Sequence, residues 1–260
     1  RHTRFKCDWS SDVCSSDLVN TRVVPSLLLA GLFTGVSARA ADDIQTYTAT
    51  YTAEAKGKEI GATTFSVRYI PERMVYEFKS ETLAKGMVVK LAIPNPVIQR
   101  SEFRVNGGVI EPLEFWYEDG SRKGEGNVHI VFDWQRKVAT TNSKHGRKEF
   151  AIQPGALDEG TLQVALMHDL ATAGKPGRYL RTDEDSITEY VYQDQGEAKT
   201  PTGMGQLKSH AYNQQRQGSN RVNWIWVLPD MKFLPARIEQ RKDGEVNSAF
   251  TLKSVNGIAK

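Results

Sequence analysis

Cysteine is almost missing from this chain: Cys7 and Cys14 are the only two among 260 residues. Both fall near the start, where residues 8–18 read DWSSDVCSSDL. That string is the translation of a common sequencing-adapter primer, so residues 1–18 are read as an assembly scar and set aside from fold reasoning. Without them the chain has no thiol nucleophile, no thiolate metal site, no disulfide and no cysteine to carry a lipid anchor.

An excess of one charge is absent too. Of 34 basic and 31 acidic residues, five and three lie within the first 40, which leaves a net charge of +1 beyond them. Nucleic-acid binders draw most of their affinity from a basic excess, so no nucleic-acid partner is expected. No apolar run reaches the ~20 residues that a membrane-spanning helix needs. The run at 23–36 follows Arg22, contains Pro25, and is succeeded by Ala38-Arg39-Ala40. A charge, a short apolar stretch and a small-x-small end make the layout of a secretory signal. Residues 19–40 are therefore expected to be a signal peptide. Residues 41–260 are expected to form one β-rich domain in the periplasm of a Gram-negative envelope, with no stable transmembrane segment after cleavage.

Catalytic motifs are missing as well. The sequence has no Gly-x-Ser-x-Gly elbow, no Walker loop and no dinucleotide fingerprint. His129, His145, His168 and His210 stand singly, without the i, i+2 or i, i+4 pairing of a histidine metal site. No metal, cofactor or catalytic residue is assigned, and the chain is expected not to be an enzyme. Thr200-Pro201-Thr202-Gly203-Met204-Gly205 lacks the lysine and following helix of a phosphate loop and reads as a turn between strands. The basic run Lys144-His145-Gly146-Arg147-Lys148 is either a solvated hairpin tip or a contact for lipid phosphates or an acidic partner.

What the chain has in plenty is period-two alternation. Tyr47, Ala49, Tyr51 and Ala53 alternate with threonines; Phe65, Val67 and Tyr69 follow after Lys56-Gly57-Lys58. Met74, Tyr76 and Phe78 come next, and three strands so closely joined predict an antiparallel meander. Leu113, Phe115 and Tyr117, then Val128, Ile130, Phe132 and Trp134, extend the pattern, and further strands are expected near 137–141, 149–153, 179–182, 188–192, 206–213, 222–228, 236–240 and 249–255. Two segments break it. Residues 158–173 space Leu162, Leu166 and Leu170 four apart behind Asp158 and before Gly174 and Pro176, which predicts a helix with both ends marked. Residues 83–93 space Leu83, Met87 and Leu91 likewise and predict a short helix or an apolar lid.

The fold expected is all-β dominated with one or two helices, an antiparallel open or half-closed barrel. Val222, Trp224, Trp226 and Leu228 share one face of a strand, and Ile225 and Val227 make its other face apolar too. Such a strand needs cover on both sides. Aromatic side chains line apolar pockets well, so Phe65, Tyr76, Phe78, Phe115, Phe132, Trp224 and Trp226 are the candidate lining of a cavity. Leu83, Met87 and Leu91 are its candidate lid.

Three stretches carry a family resemblance: Ile110-Glu111-Pro112-Leu113 to Tyr117 with Val131-Phe132-Asp133-Trp134; Gly155-Ala156-Leu157-Asp158 to Thr161; and Thr200-Pro201-Thr202-Gly203 with Trp224-Ile225-Trp226 and Leu234-Pro235-Ala236-Arg237-Ile238-Glu239. By their order and spacing, residues 45–255 resemble the exported bacterial family known as domain of unknown function 3108 (DUF3108). The resemblance implies an envelope address and brings no activity or site residue. The pattern is also similar to the half-closed barrels of lipoprotein carriers, an analogy at the level of fold. Two functions follow as expectations. One is binding or carriage of a hydrophobic or lipid-like ligand in a barrel concavity. The other is a non-enzymatic structural or assembly factor, with envelope proteins as partners and a solid core. The interior decides between them.

Overall fold

The structure, a computed structural model, describes residues 44–216 and 218–258. The adapter-like residues 1–18 and the leader-like residues 19–40 lie outside that range. The chain opens with the meander β1 (Tyr47–Ala55), β2 (Lys58–Ile70) and β3 (Val75–Ala84), followed by a six-residue helix, α1 (Met87–Ala92). Next come β4 (Val97–Asn106), β5 (Val109–Glu118), β6 (Val128–Asp133), β7 (Val138–Ser143) and β8 (Gly146–Ala151). The middle of the chain supplies β9 (Ala156–Leu157), the helix α2 (Glu159–Ala173), β10 (Arg178–Thr182) and β11 (Ile187–Val191). The last stretch runs through β12 (Gln193–Thr202), β13 (Gly205–Gln215), β14 (Arg221–Leu228), β15 (Leu234–Lys242) and β16 (Glu245–Asn256).

Thirteen of these strands form one antiparallel sheet in the order β12-β13-β14-β15-β16-β1-β2-β3-β4-β5-β6-β7-β8. β16 pairs with β1, so the two halves of the chain meet at the sheet's centre, and β12 and β8 are its edges. The sheet does not close, and the half-barrel architecture expected from the alternation is the one observed. Bulges at Thr50/Tyr51, Glu102/Phe103, Trp226/Val227 and Gln240/Arg241 bend the strands, since an extra residue on one strand raises local twist and curls the sheet.

The helix α2 lies inside the curl. Asp158 caps it: the Thr161 amide donates to Asp158 Oδ1 at 2.9 Å, and the Thr161 hydroxyl accepts from the Asp158 amide at 2.9 Å. Gly174, at φ 70°, ends it in the left-handed conformation that glycine adopts most cheaply. Leu162, Val164, Ala165, Leu166, Met167 and Leu170 are all buried, and they point in several directions around the axis. A helix so apolar on several sides needs walls on those sides. The large sheet gives one. The small sheet of β11-β10-β9 gives another, with β9 lying against β5 and β11 against β13, so it bridges the two arms of the half-barrel. Gly160 lets α2 approach closely, because a Cβ there would sit 2.3 Å from Ser101 Oγ and 2.6 Å from Phe78 Cδ1.

The core has two parts. The main cluster joins Tyr51, Phe65, Phe78, Phe103, Ile225, Val227, Leu234 and Leu252 of the sheet to α2. A smaller one holds Phe115, Val128, Ile130, Phe132, Ala139, Ile152 and Ala156 under the small sheet. Four local readings change. Met74 does not open a strand: it takes a left-handed turn at φ 52° and is exposed, and β3 begins at Val75. Residues 83–93 divide into the end of β3 and α1 rather than forming one helix. β4 and β12 are full strands where no alternation announced them. On β14 the inner face carries Ile225 and Val227, while Trp224 and Trp226 are half-buried, stacked 5.5 Å apart on the outer side.

Candidate functional site: an apolar cavity between sheet and helix

The first turn of α2 approaches the sheet closely at Gly160, and space is left beside that contact. A partly open cavity of about 120 Å³ lies there. Phe65 and Phe78 of β2 and β3, Leu162 of α2, and Ile225, Ile238 and Phe250 of β14, β15 and β16 form its apolar wall. Ile60, Ile93 and Val97 line it beside α1, and Tyr117 adds to the lining from β5. Phe65 sits 6.0 Å from Phe78 and 5.6 Å from Phe250, ring centre to ring centre, so three rigid rings make one continuous surface.

The polar residues are few and specific. Ser80, Thr82 and Gln99 come from β3 and β4, Glu159 and Gln163 from α2, Arg181, Tyr190 and Tyr192 from β10 and the β11–β12 stretch, and Asn223 from β14. Arg181 is only 4% exposed. It donates to Asp183 Oδ2 at 2.5 Å, and its guanidinium carbon stands 4.9 Å from the Tyr190 ring centre. Its Nε–H has no acceptor among the described residues, and Asn223 Oδ1 has no donor there. Asn223 Nδ2 is engaged, donating to Gln214 Oε1 at 3.0 Å. A buried donor and a buried acceptor left unpaired cost free energy unless something else meets them. Burial pushes the Tyr190 and Tyr192 hydroxyls above their ordinary range, so both meet the cavity neutral. The lining carries one cation, Arg181, already paired with Asp183, and one acid, Glu159.

At the N-terminus of α2, Ser101 Oγ donates to Asp158 Oδ1 at 2.6 Å. Asp158 is wholly buried, and desolvation raises its pKa from 3.8 to about 6 against the hydrogen bonds that oppose the shift. Its Oδ2 accepts no hydrogen bond among the described residues.

Of the aromatic residues expected to line a pocket, Phe65 and Phe78 do so from the core, and Trp224, on the outer side of β14, only borders it. Tyr76 packs on the main core, stacked 5.5 Å from Phe103, and Trp226 packs on that core from outside. Phe115 and Phe132 lie in the smaller cluster. Leu83, Met87 and Leu91 do not cover the cavity; all three are exposed next to it, and Ile93 is the residue of that segment that reaches the lining. Sequence reasoning missed Arg181, Asn223, Gln99 and Ser80, which alternation hides because they are polar residues facing inward.

A second cavity of about 220 Å³ lies on the other flank of α2, lined by Tyr47, Val67, Val164, Met167 and Lys232 and edged by Ile44. His168 also borders it. The other histidines among the described residues are elsewhere: His129 Nε2 is 2.6 Å from Glu114 Oε1, His210 Nε2 is 2.6 Å from Asp194 Oδ1, and His145 sits in the β7–β8 turn. Among the described residues no group of three or more histidines and carboxylates is placed to hold a metal, and no helix is long and apolar enough to cross a membrane.

Comparison with known proteins brings a family match. The model described as protein of unknown function (DUF3108) matches residues 46–251. No curated protein matches. Among solved structures, a chain from the Pseudomonas aeruginosa MucA/MucB complex is 11% identical at a TM-score of 0.36, over 81% of this chain and 51% of that one. This chain thus spans about half the length of that relative. A Bacteroides fragilis protein with a YmcC-like fold is 11% identical at a TM-score of 0.33, over 81% of this chain and 95% of its own. A Parabacteroides distasonis protein is 12% identical at 0.34, over 82% and 95%. Likeness of this degree leaves the function to be argued from the site.

Proposed function

The chain belongs to the DUF3108 family, which brings no activity with it, and on the site alone we propose that it binds a hydrophobic, lipid-like molecule in the cavity beside α2. The observation that carries this reading is an interior left unfilled where aromatic and aliphatic walls converge. Protein interiors pack to the density of organic crystals, so a fold that leaves about 120 Å³ open among phenylalanine and isoleucine side chains gives up packing energy there. A guest restores it. The rival reading, a scaffold with a solid core, expects that space to be filled.

The polar residues narrow the guest. Arg181 Nε–H seeks an acceptor and Asn223 Oδ1 seeks a donor, and the lining has no unpaired cation for a full negative charge. A neutral amphiphile fits this chemistry: an apolar chain ending in a hydroxyl, amide or ester. The leader-like residues 19–40 support an address in the periplasm, where such molecules are handled.

Binding is tested with a fluorescent long-chain alcohol and the variant Val97→Trp, which fills the cavity from its α1 side. The protein takes up the probe with a saturable rise in emission, and the variant does not. Equal uptake by the two, or none by either, overturns the reading.

A further inference from the structure

Among the described residues, four strongly exposed large apolar side chains are gathered at one place, while Met74, 76% exposed, stands alone at the other end of β3. Met87 is 88% exposed, Val88 84%, Leu91 73% and Leu83 54%. They belong to α1 and the end of β3, and α1 has no buried residue at all. Single exposed leucines are ordinary, whereas a contiguous apolar group marks a contact surface. We propose that this tip docks on an anionic phospholipid surface and buries Met87, Val88 and Leu91 among the acyl chains.

Three features favour a bilayer over a protein groove. The apolar side chains point more than one way: Met87 and Leu91 share a helix face, and Val88 lies about 100° round from Met87 in α-helix geometry. A groove takes one face of a helix, while fluid acyl chains solvate all of them. Charge is the second. Lys85 and Lys90 are the only charged residues between 83 and 97, and no acid lies in α1. The loop at 119–127, tied to this segment by the Asn95 amide donating to Gly120 O at 3.1 Å, adds Arg122 and Lys123 together with Glu125 and with Asp119, whose carboxylate accepts from the Ser121 and Gly126 amides. Glu59 meets Lys85 at 2.8 Å and Glu125 lies 3.8 Å from Lys123, which leaves Lys90 and Arg122 without an acidic partner among the described residues. Lysines around an apolar tip extend their stems along it and keep their ammonium groups at the phosphates. Continuity is the third: Ile93, which ends α1, and Val97 beyond it line the cavity. An apolar path therefore runs from the tip inward. Docking stands without any guest in the cavity, because the tip is exposed whether or not the cavity is filled.

The purified protein is floated with vesicles of phosphatidylethanolamine and phosphatidylglycerol, and separately with phosphatidylcholine alone. It is compared with Met87→Asp/Leu91→Asp and with Lys90→Gln, both at solvent-exposed positions. All share one N-terminus, so differences report the tip. Wild type floats with the anionic vesicles. The double variant partitions at least about tenfold less, the loss expected from setting two charges where apolar area is buried. Lys90→Gln loses about fivefold on anionic vesicles, the worth of one lysine at such a surface, and nothing on phosphatidylcholine. Uptake of the fluorescent alcohol without vesicles is the same in all three. Wild type that stays with the soluble fraction, variants that float as well as wild type, or a photocrosslinker at position 87 that captures protein and no lipid, each overturns the proposal.

Discussion

Replacing Asp158 by asparagine isolates the energetics of the contact between α2 and the sheet. Asn keeps an oxygen for the Ser101 hydroxyl and the Thr161 amide, which both donate to Asp158 Oδ1, and removes the titration. The carboxyl of Asp158 is raised by burial from 3.8 to about 6. An acid whose folded pKa lies above its unfolded value holds a proton in the folded state that the unfolded chain has released. Its contribution is therefore present below about pH 4 and is lost as the pH rises through about 6. Each pH unit of displacement is worth about 1.4 kcal/mol, so a shift of this size amounts to about 3 kcal/mol. The residue has no exposed surface, so solvent screening does not reduce that figure. The variant also buries an amide NH₂ where Oδ2 had no partner, at a cost that does not change with pH. Urea unfolding of both proteins from pH 3 to pH 7 separates the two effects. Wild type loses about 3 kcal/mol more than Asp158→Asn over that interval; parallel stability curves refute the assignment.

Two further outcomes follow from the same geometry. Gly160→Ala places a methyl 2.3 Å from Ser101 Oγ and 2.6 Å from the Phe78 ring; urea unfolding shows a loss of roughly 1–3 kcal/mol, as overpacking does, even though alanine is the better helix former. Asn223→Leu removes the acceptor that a guest hydroxyl would meet; it weakens a long-chain alcohol about fivefold, the value of one net hydrogen bond, and leaves the methyl ester of the same chain length unchanged in a competition assay.

Alternation of apolar and polar residues made the meander of β1, β2 and β3 and the strand β6 legible in the sequence, a run of apolar residues marked β14, and Asp158 with Gly174 marked both ends of α2. The strands it hid are those whose inward residues have other work. In β4, Gln99 faces the cavity and Ser101 meets Asp158, so two of the inward positions are polar and the period disappears. β12 reads QDQGEAKTPT and is an edge of the sheet; polar residues and a proline are what an edge strand carries to discourage further pairing. On β14 both faces are apolar, so periodicity could not say which faced inward. The bulge at Trp226/Val227 and the pairing with β13 put Ile225 and Val227 there. Arg181 and Asn223 share a cavity but lie on β10 and β14. Their meeting is a product of the small sheet crossing between the arms, which local pattern does not record.

Native mass spectrometry of protein purified under mild, detergent-free conditions tests the occupied interior most directly. The account predicts a population heavier than the polypeptide by the mass of a neutral amphiphile, released on organic extraction and missing from Val97→Trp. A single bare-chain mass, with no long-chain alcohol, amide or ester binding when added back, would contradict it.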